Sequence, residues 1–240
     1  MEIGFHVVRE RSVIWVSGAV SDNRPHTHHA LQVTWAAPGA GDARLELGAA
    51  SIAGPCVAVD GGVEHALELP RGLIALIDAE SSLAQGIRAR FPRGEGFAAL
   101  EGAAWSGRRE DAGRLLAEVG GAVEGAPLDA RVRAVLQWLD TMEEAGAWDE
   151  VSLEGALRQA HLSASRFRHL FTAGVGTPWR TYLVWRRALV AMTLAADGAT
   201  LTEAAHAAGY ADSAHLSRQF VSLFGVTPAA VVRNSHFVQS

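Results

Sequence analysis

The C-terminal part of this 240-residue chain carries one pattern twice. The first copy runs Ser152-Leu153, Leu162, Phe167, Phe171 and Gly176; the second runs Thr200-Leu201, Tyr210, Leu216, Phe220 and Gly225. Corresponding positions are offset by 48 or 49 residues. A near-constant offset with matching residue types argues for one structural unit used twice. Each unit reads as a helix, a tight turn and a second helix, the layout that sets a recognition helix into a DNA major groove. One such stretch also fits an ordinary helical bundle; two copies with matching caps do not.

In the second copy the boundaries are well marked. Thr200 and Glu203 make a capping box at a helix start. Leu201, Ala204, Ala205 and Ala208 keep one face small and apolar, so another helix can cross closely. Gly209 is placed just past the helix end, where positive φ costs it little. Asp212 caps the next helix, whose core anchors are Leu216 and Phe220. Ser213, Ala214, His215, Ser217 and Arg218 remain on the outer surface. In the first copy Ser152 and Ser163 are the caps and Phe167, Leu170 and Phe171 face the core. Ser165, Arg166, Arg168 and His169 are left outside, and His161 stands where the second copy has Gly209.

Thr177 as N-cap and Pro178 at the first helical position predict a joining helix running to Ala196. Its length of roughly 28 Å approaches the roughly 34 Å turn of B-DNA, so both recognition helices can reach successive major grooves. Thr227-Pro228 repeats the start signal for a closing helix, and Asp129 to Ala145 reads as an opening one, with Val132, Val135, Leu136 and Leu139 on one face.

These residues resemble the AraC-type transcription regulators. The matching positions are Ser163-x3-Phe167-x2-Leu170-Phe171-x4-Gly176, Tyr182-Leu183-x3-Arg187-x3-Ala191, and Ala205-x3-Gly209-Tyr210-x5-Leu216-Ser217-Arg218-x-Phe220-x4-Gly225-x-Thr227-Pro228. The resemblance covers about residues 129–234. Departures are Leu157 where the family usually has Ala, His161 where it favours Gly, and Val232 near a position that is usually Tyr. The resemblance implies seven helices holding two helix-turn-helix units. It implies DNA contacts by Ser165, Arg168 and His169 in the first unit and Ser213, His215 and Arg218 in the second. Arg166 and Ser217 share those faces and complete the candidate DNA-binding set.

Charge distribution agrees. The chain has 21 basic residues, all Arg, against 26 acids, a net −5 that by itself does not suggest nucleic acid. Yet residues 155–196 hold six arginines (158, 166, 168, 180, 186, 187) and no acid. The acids gather just before: Asp140, Glu143, Glu144, Asp149, Glu150 and Glu154. Such a one-sided arrangement suits a phosphate-facing surface. The second unit is neutral, so the first is expected to supply most of the salt-dependent affinity through Arg168 and Arg187. For Arg187 a structural role inside the domain is the rival reading.

Residues 1 to about 100 are different in kind. Short apolar runs alternate with Gly, Pro and Asp turns: Phe5–Val8, Val13–Val16, Leu31–Ala36, Val57–Val59 and Leu73–Ile77. They read as strands of an antiparallel barrel or sandwich. Pro25-His26-Thr27-His28-His29, followed by Gly61-Gly62-Val63-Glu64-His65, looks like a cupin, in which an H-x-H pair on one strand and a later His converge on a central site. Spacing of two along a strand puts His26 and His28 on one face. Three imidazoles can hold a divalent transition metal. Where metal cupins usually add a Glu, Gln32 is the nearest candidate. The alternative is that the histidines line an organic-effector pocket, with Gln32 beside them, or are simply hydrogen-bonded in the structure. Trp15 and Trp35 read either as its walls or as core. No second acid–base group is apparent near the histidines, which argues against the competing reading, a metal-dependent cupin enzyme.

Ala112, Leu115, Leu116 and Val119 make an amphipathic helix that either supports a homodimer or packs on the barrel. The Gly/Ala/Pro stretch at 120–127 is the best domain boundary. Cys56 is the single cysteine, so no intrachain disulfide forms. The start Met1-Glu2-Ile3-Gly4 lacks a signal-peptide pattern, and no run approaches the roughly 20 apolar residues of a membrane span. A cytoplasmic protein is expected.

The expected architecture is therefore α+β and multidomain. A cupin-like antiparallel β-barrel sensor occupies 1–103, a helix and linker 104–127, and an all-α domain with two helix-turn-helix units 128–240. The expected function is sequence-specific binding of double-stranded promoter DNA, without enzymatic activity, under control of a small-molecule or metal effector. RNA polymerase is the partner the resemblance implies.

Overall fold

A computed structural model describes residues 6–10, 13–20, 23–101, 104–120 and 128–233, with only the backbone course given for 6–10, 109 and 231–233. The expected linker at 121–127, residue Phe5 and the side chain of Val232 lie outside the described residues. In chain order the first part holds β1 (His6–Glu10), β2 (Val13–Val20), β3 (Leu31–Ala36), β4 (Ala43–Leu47), β5 (Ala50–Gly54), β6 (Cys56–Val59), β7 (Ala66–Ile77), α1 (Ser82–Arg88), β8 (Phe97–Ala99) and α2 (Ala112–Gly120). The second part is helical: α3 (Ala130–Glu144), α4 (Leu153–Ala160), α5 (Ala164–Val175), α6 (Trp179–Ala196), α7 (Leu201–Ala207), α8 (Ser213–Phe224) and α9 (Pro228–Arg233).

The strands pair antiparallel in the order β1-β2-β7-β3-β6-β8, with β4 bonded to β7 and β5. This is a nearly closed barrel, and both faces of its central strands are covered. On β2, Val13 and Trp15 face one way and Ile14 and Val16 the other. The same alternation places Leu31, Val33 and Trp35 of β3 on the outer face, against α1 and α2. Double burial explains why these strands read as continuous apolar runs rather than as alternating ones. Four elements escaped sequence reading. The β4–β5 hairpin and β8 are short and carry half-exposed positions, and α1 is a seven-residue helix. The strand predicted at 73–77 begins earlier, at Ala66, passing through Pro70.

Two alternatives are decided here. Trp15 and Trp35 pack on each other with centroids 6.2 Å apart in the outer core, and do not line either cavity described below. The apolar face of α2 (Ala112, Leu115, Leu116, Val119) is buried in that same outer core, so it packs on the barrel.

In the helical part the caps fall where the sequence put them. Ser152 accepts from Gly155 N (3.0 Å), Asp129 from Arg131 N (2.9 Å) and Asp212 from His215 N (2.6 Å). Thr200 and Glu203 form the reciprocal capping box. The start of α6 is shifted by one: Pro178 is the N-cap and Trp179 the first helical residue, with no side-chain cap. His161 closes α4 with φ 52°, the left-handed conformation that Gly209 (φ 73°) adopts after α7. Phe167, Phe171, Leu216 and Phe220 are all buried, as their spacing requires.

Candidate nucleic-acid interface and effector site

The DNA-facing candidates lie on α5 and α8. On α5, Ser165, Arg166, Arg168 and His169 are all exposed while Phe167 and Phe171 are buried between them. On α8, Arg218 is exposed; Ser213, His215 and Ser217 are half-exposed. Ser217 donates its hydroxyl to the Ser213 carbonyl (2.7 Å), so only its lone pairs remain for a partner. The His215 ring meets Tyr210 edge-on at 5.2 Å, which fixes its position beside the turn.

The arginine-rich stretch divides. Arg158, Arg166, Arg168 and Arg180 are exposed. Arg186 is only 4% exposed and donates to Asp140 (2.8 Å) and Glu143 (2.7 Å). The acids that precede the basic stretch in sequence thus neutralise part of it in space. Arg187 donates to the Trp148 carbonyl (3.2 Å) and lies over the Trp148 ring at 5.6 Å. Its structural role is the one the geometry supports: Arg187 is half-buried against Trp148, whereas Arg168 is exposed.

The barrel's polar cluster sits against this domain. His26 and His28 lie in the connection before β3 rather than inside a strand. His26 forms an isolated antiparallel bridge with His65, each N–H donating to the other's carbonyl at 3.0 Å. Gly61 lets the 60–65 turn approach the backbone at His29 closer than any Cβ would allow. Gly62 N then donates to His28 O (2.8 Å). One ring nitrogen from each of His26, His28 and His65 lies within 4.8 Å of the others.

All three rings are held the same way. Nδ1 of His26 is 2.9 Å from Arg24 O, that of His28 3.0 Å from Ala30 O, and that of His65 3.0 Å from Val63 O. A carbonyl accepts only from N–H, so Nδ1 carries the proton and Nε2 keeps its lone pair. Gln32, 3.3 Å from His28 Nε2, is then satisfied when its amide presents N–H to the ring. Nε2 of His65 is buried with no partner. Burial first, then the neighbouring His65, lowers the His26 pKa to about 4. The same causes, with His26 added, hold His28 well below its ordinary value. Burial lowers His65 as well. All three imidazoles are therefore neutral near pH 7.

Two cavities flank the cluster, and both lie between barrel and helices. One, of about 120 Å³, is lined by His26, Gln32 and Asn23 at a polar end. Its apolar wall comes from barrel residues such as Leu67 and Leu76 and from Met192, Phe220 and Phe224 of the helical part. The other is a polar cleft of about 670 Å³ reaching His28, His29, Glu80 and Trp185.

Sequence reasoning found no acid–base group near the histidines; the fold supplies one. His29 Nε2 is 3.0 Å from Glu80, Tyr182 Oη donates to Glu80 (3.1 Å), and Arg186 donates to Tyr182 Oη (3.3 Å). Burial by itself raises the Glu80 carboxyl. The His29 hydrogen bond and charge, with Tyr182, outweigh it and hold the carboxyl below its ordinary value. Burial and the Glu80 charge push the Tyr182 phenol well up, so it stays a donor. The network bridges barrel to α6 and α3 and is spent on holding them together. Its members lie far apart in sequence, and no local pattern announces them.

Fold and caps together define an architecture: an antiparallel barrel preceding a helical part that holds two helix-turn-helix units. Residues 157–234 match a family described as a helix-turn-helix domain. In fold the whole chain is similar to ToxT of Vibrio cholerae. An apo single-residue variant of ToxT superposes with a TM-score of 0.58 at 10% identity, over 95% of this chain and 99% of that one. A second ToxT structure gives 0.56 at 11% identity, over 95% and 100%. ToxT with a bound unsaturated fatty acid gives 0.54 at 10% identity, over 99% and 96%. No curated protein is a sequence match to the chain. Among the described residues no helix is long and apolar enough to cross a membrane.

Proposed function

We propose that the protein regulates transcription by binding promoter DNA through α5 and α8, and that ligand occupancy between barrel and helices controls that binding. The observation that carries this reading is the seat of α8 on the barrel. Asn23 Nδ2 donates to Phe224 O (2.8 Å) and Arg24 N to Gly225 O (3.2 Å), at the end of the second recognition helix. A ligand that shifts the 23–32 segment acts on a DNA-reading element directly.

On DNA, Arg168 and Arg218 are suited to guanine edges or phosphates and Ser165, Ser213 and Ser217 to any base. Arg166 and His169 share the α5 face, and His215 borders the turn. The barrel and 128–240 act as sensor and DNA-binding domain, and RNA polymerase is the partner on the promoter. A homodimer would use a surface other than the apolar face of α2. ToxT has been solved with an unsaturated fatty acid and with a naphthalenyl-butenoic acid, both carboxylic acids with apolar bodies. Here the 120 Å³ cavity is near the size that takes a benzene ring, and its lining carries no Arg or acid. It therefore suits a small apolar group with a neutral polar end, contacting His26 and Gln32.

The experiment is selection of bound sequences from random double-stranded DNA, followed by footprinting on the matching genomic sites. A protected site spanning two adjacent major grooves is expected, with protection lost in Arg168→Ala plus Arg218→Ala. Binding no tighter to selected than to random DNA would overturn the reading.

A further inference from the structure

We propose that β5 is a self-pairing edge, through which two copies of this chain join antiparallel with Ile52 on the two-fold axis. The pairing stands on the barrel alone; its use on DNA rests on the regulator reading above.

Two observations make β5 an open edge. It is hydrogen-bonded to β4 and, among the described residues, to no other strand. Ala50, Ser51 and Ala53 are exposed and Ile52 is half-buried; Gly54, beside Ala99, is the buried end. The strand also lacks the devices that ordinarily block strand addition, which are charged side chains, internal Pro, bulges or shortness. It has five residues without charge or Pro, in unbroken register with β4. The other edges are guarded: β1 carries Arg9 and Glu10, and β8 is three residues long.

The surface is also complementary to itself, which selects a second copy as its occupant. Successive side chains point to opposite faces, so a two-fold axis normal to the sheet must set one residue opposite itself. Centring on Ile52 engages the longest run of β5. Ile52 then covers the half-exposed Ile52 of the second copy, and Ser51 lies opposite Ala53. On β4, Arg44 sits beside Ala53 and Glu46 beside Ser51, and both are exposed. Each Arg44 therefore shares a cross-strand row with Glu46 of the second copy, over the small side chains of Ala53 and Ser51. Three strand spacings make about 14 Å, which an extended Arg and Glu together span. Symmetry supplies the row twice. Within the chain Arg44 has a loose, exposed pair with Glu68 at 3.8 Å.

Edges this short bury less than the roughly 1,200 Å² of a stable interface, so the pairing is reversible. Two copies on neighbouring DNA sites reach an effective concentration on the order of millimolar, and a weak self-pairing holds there.

The test uses the full-length chain without DNA. Cys56 is fully buried, so a thiol added on β5 is the reactive one. Ser51→Cys and Ala53→Cys are oxidised with copper-phenanthroline, each alone and as an equal mixture. Residues opposite each other have Cα atoms about 4.5–5.5 Å apart, within disulfide reach. The mixture should give several-fold more covalent dimer than either variant alone, because the register sets 51 opposite 53 and not opposite itself. Sedimentation equilibrium reads the charge rows. Arg44→Glu and Glu46→Arg should each weaken self-association by roughly 2-fold or more, and combining them should restore it, with circular dichroism confirming the fold. Crosslinking no greater in the mixture than in the single variants, or a monomer at every concentration, would overturn the pairing. So would thiols at 51 and 53 that resist a soluble maleimide in the folded chain, since another segment of the same chain would then cover the edge. Neither result bears on DNA binding, and failure to select a bound sequence would leave the crosslinking result standing.

Discussion

Gly225, the C-cap of the second recognition helix, rests on the imidazole of His26 in the barrel. Its φ of 69° already excludes most side chains, and a Cβ there would lie 2.8 Å from both His26 Nδ1 and Asn23 Oδ1. Sequence and tertiary requirements coincide at this position: the helix end needs a left-handed residue, and the barrel needs one without a side chain.

Gly225→Ala is accordingly expected to cost more than a helix cap alone. The left-handed conformation accounts for about 1–2 kcal/mol, and separating the barrel segment from α8 adds to it. A thermal melt should show the loss. The variant that remains folded should bind DNA identically with and without effector if, as proposed, this contact transmits occupancy.

The bridge from His29 through Glu80 to Tyr182 joins the two halves of the molecule. Tyr182→Phe removes one hydroxyl and leaves Glu80 and Arg186 each short of a partner, at about 1–3 kcal/mol for a buried group. In a double-mutant cycle with Glu80→Gln, coupling of about 0.5–3 kcal/mol is expected. Strict additivity in denaturant unfolding would show that the bridge contributes nothing beyond its parts.

Arg168 and Arg187 are neighbours by class but not by role. On the proposed reading of Arg168 as a phosphate contact, Arg168→Ala should flatten the dependence of log binding constant on log salt by up to about one unit. Arg187→Ala should leave that slope unchanged and lower the melting temperature instead, because its partner is Trp148. Filter binding at several salt concentrations, with a melt of each variant, separates the two.

His161 is the one non-glycine residue with positive φ among the described residues. A non-glycine left-handed residue costs about 1–2 kcal/mol, and the greater freedom of unfolded glycine returns about 0.4–1 of that. His161→Gly should therefore stabilise the first unit by up to about 1.6 kcal/mol in denaturant unfolding. A destabilised variant would mean that the imidazole makes a contact the conformation alone does not reveal.

Cys56 is fully buried in the outer core, and burial pushes its thiol pKa up to about 12. Because the thiolate is the nucleophile, iodoacetamide at pH 8 should leave the folded chain unmodified and alkylate it fully in denaturant. Mass spectrometry of both samples is sufficient.

The helical elements were legible from residues alone because caps, turns and anchor spacings act within three or four positions. Thr200 with Glu203, Asp212 with His215, and the Phe167–Phe171 pair are such local constraints, and each was found in place. The repeat offset added a check that needed no coordinates. The histidine set was legible too, since a local H-x-H and one later His suffice to name it. Three things were not. Arg186 and Arg187 looked like part of a phosphate-facing surface because composition records charge but not which charges meet. Glu80 joins His29 across 51 residues and Tyr182 across 102, separations at which sequence carries no pairing signal. The contact of Gly225 with His26 depends on how barrel and helices are docked. The sequence by itself determined the helices of the second part, with their caps and core anchors, and the main apolar strands of the first. Only the tertiary structure decided which distant charges are spent internally and where the histidine cluster touches α8. Local propensity is a short-range property; docking and charge pairing depend on the path of the whole chain.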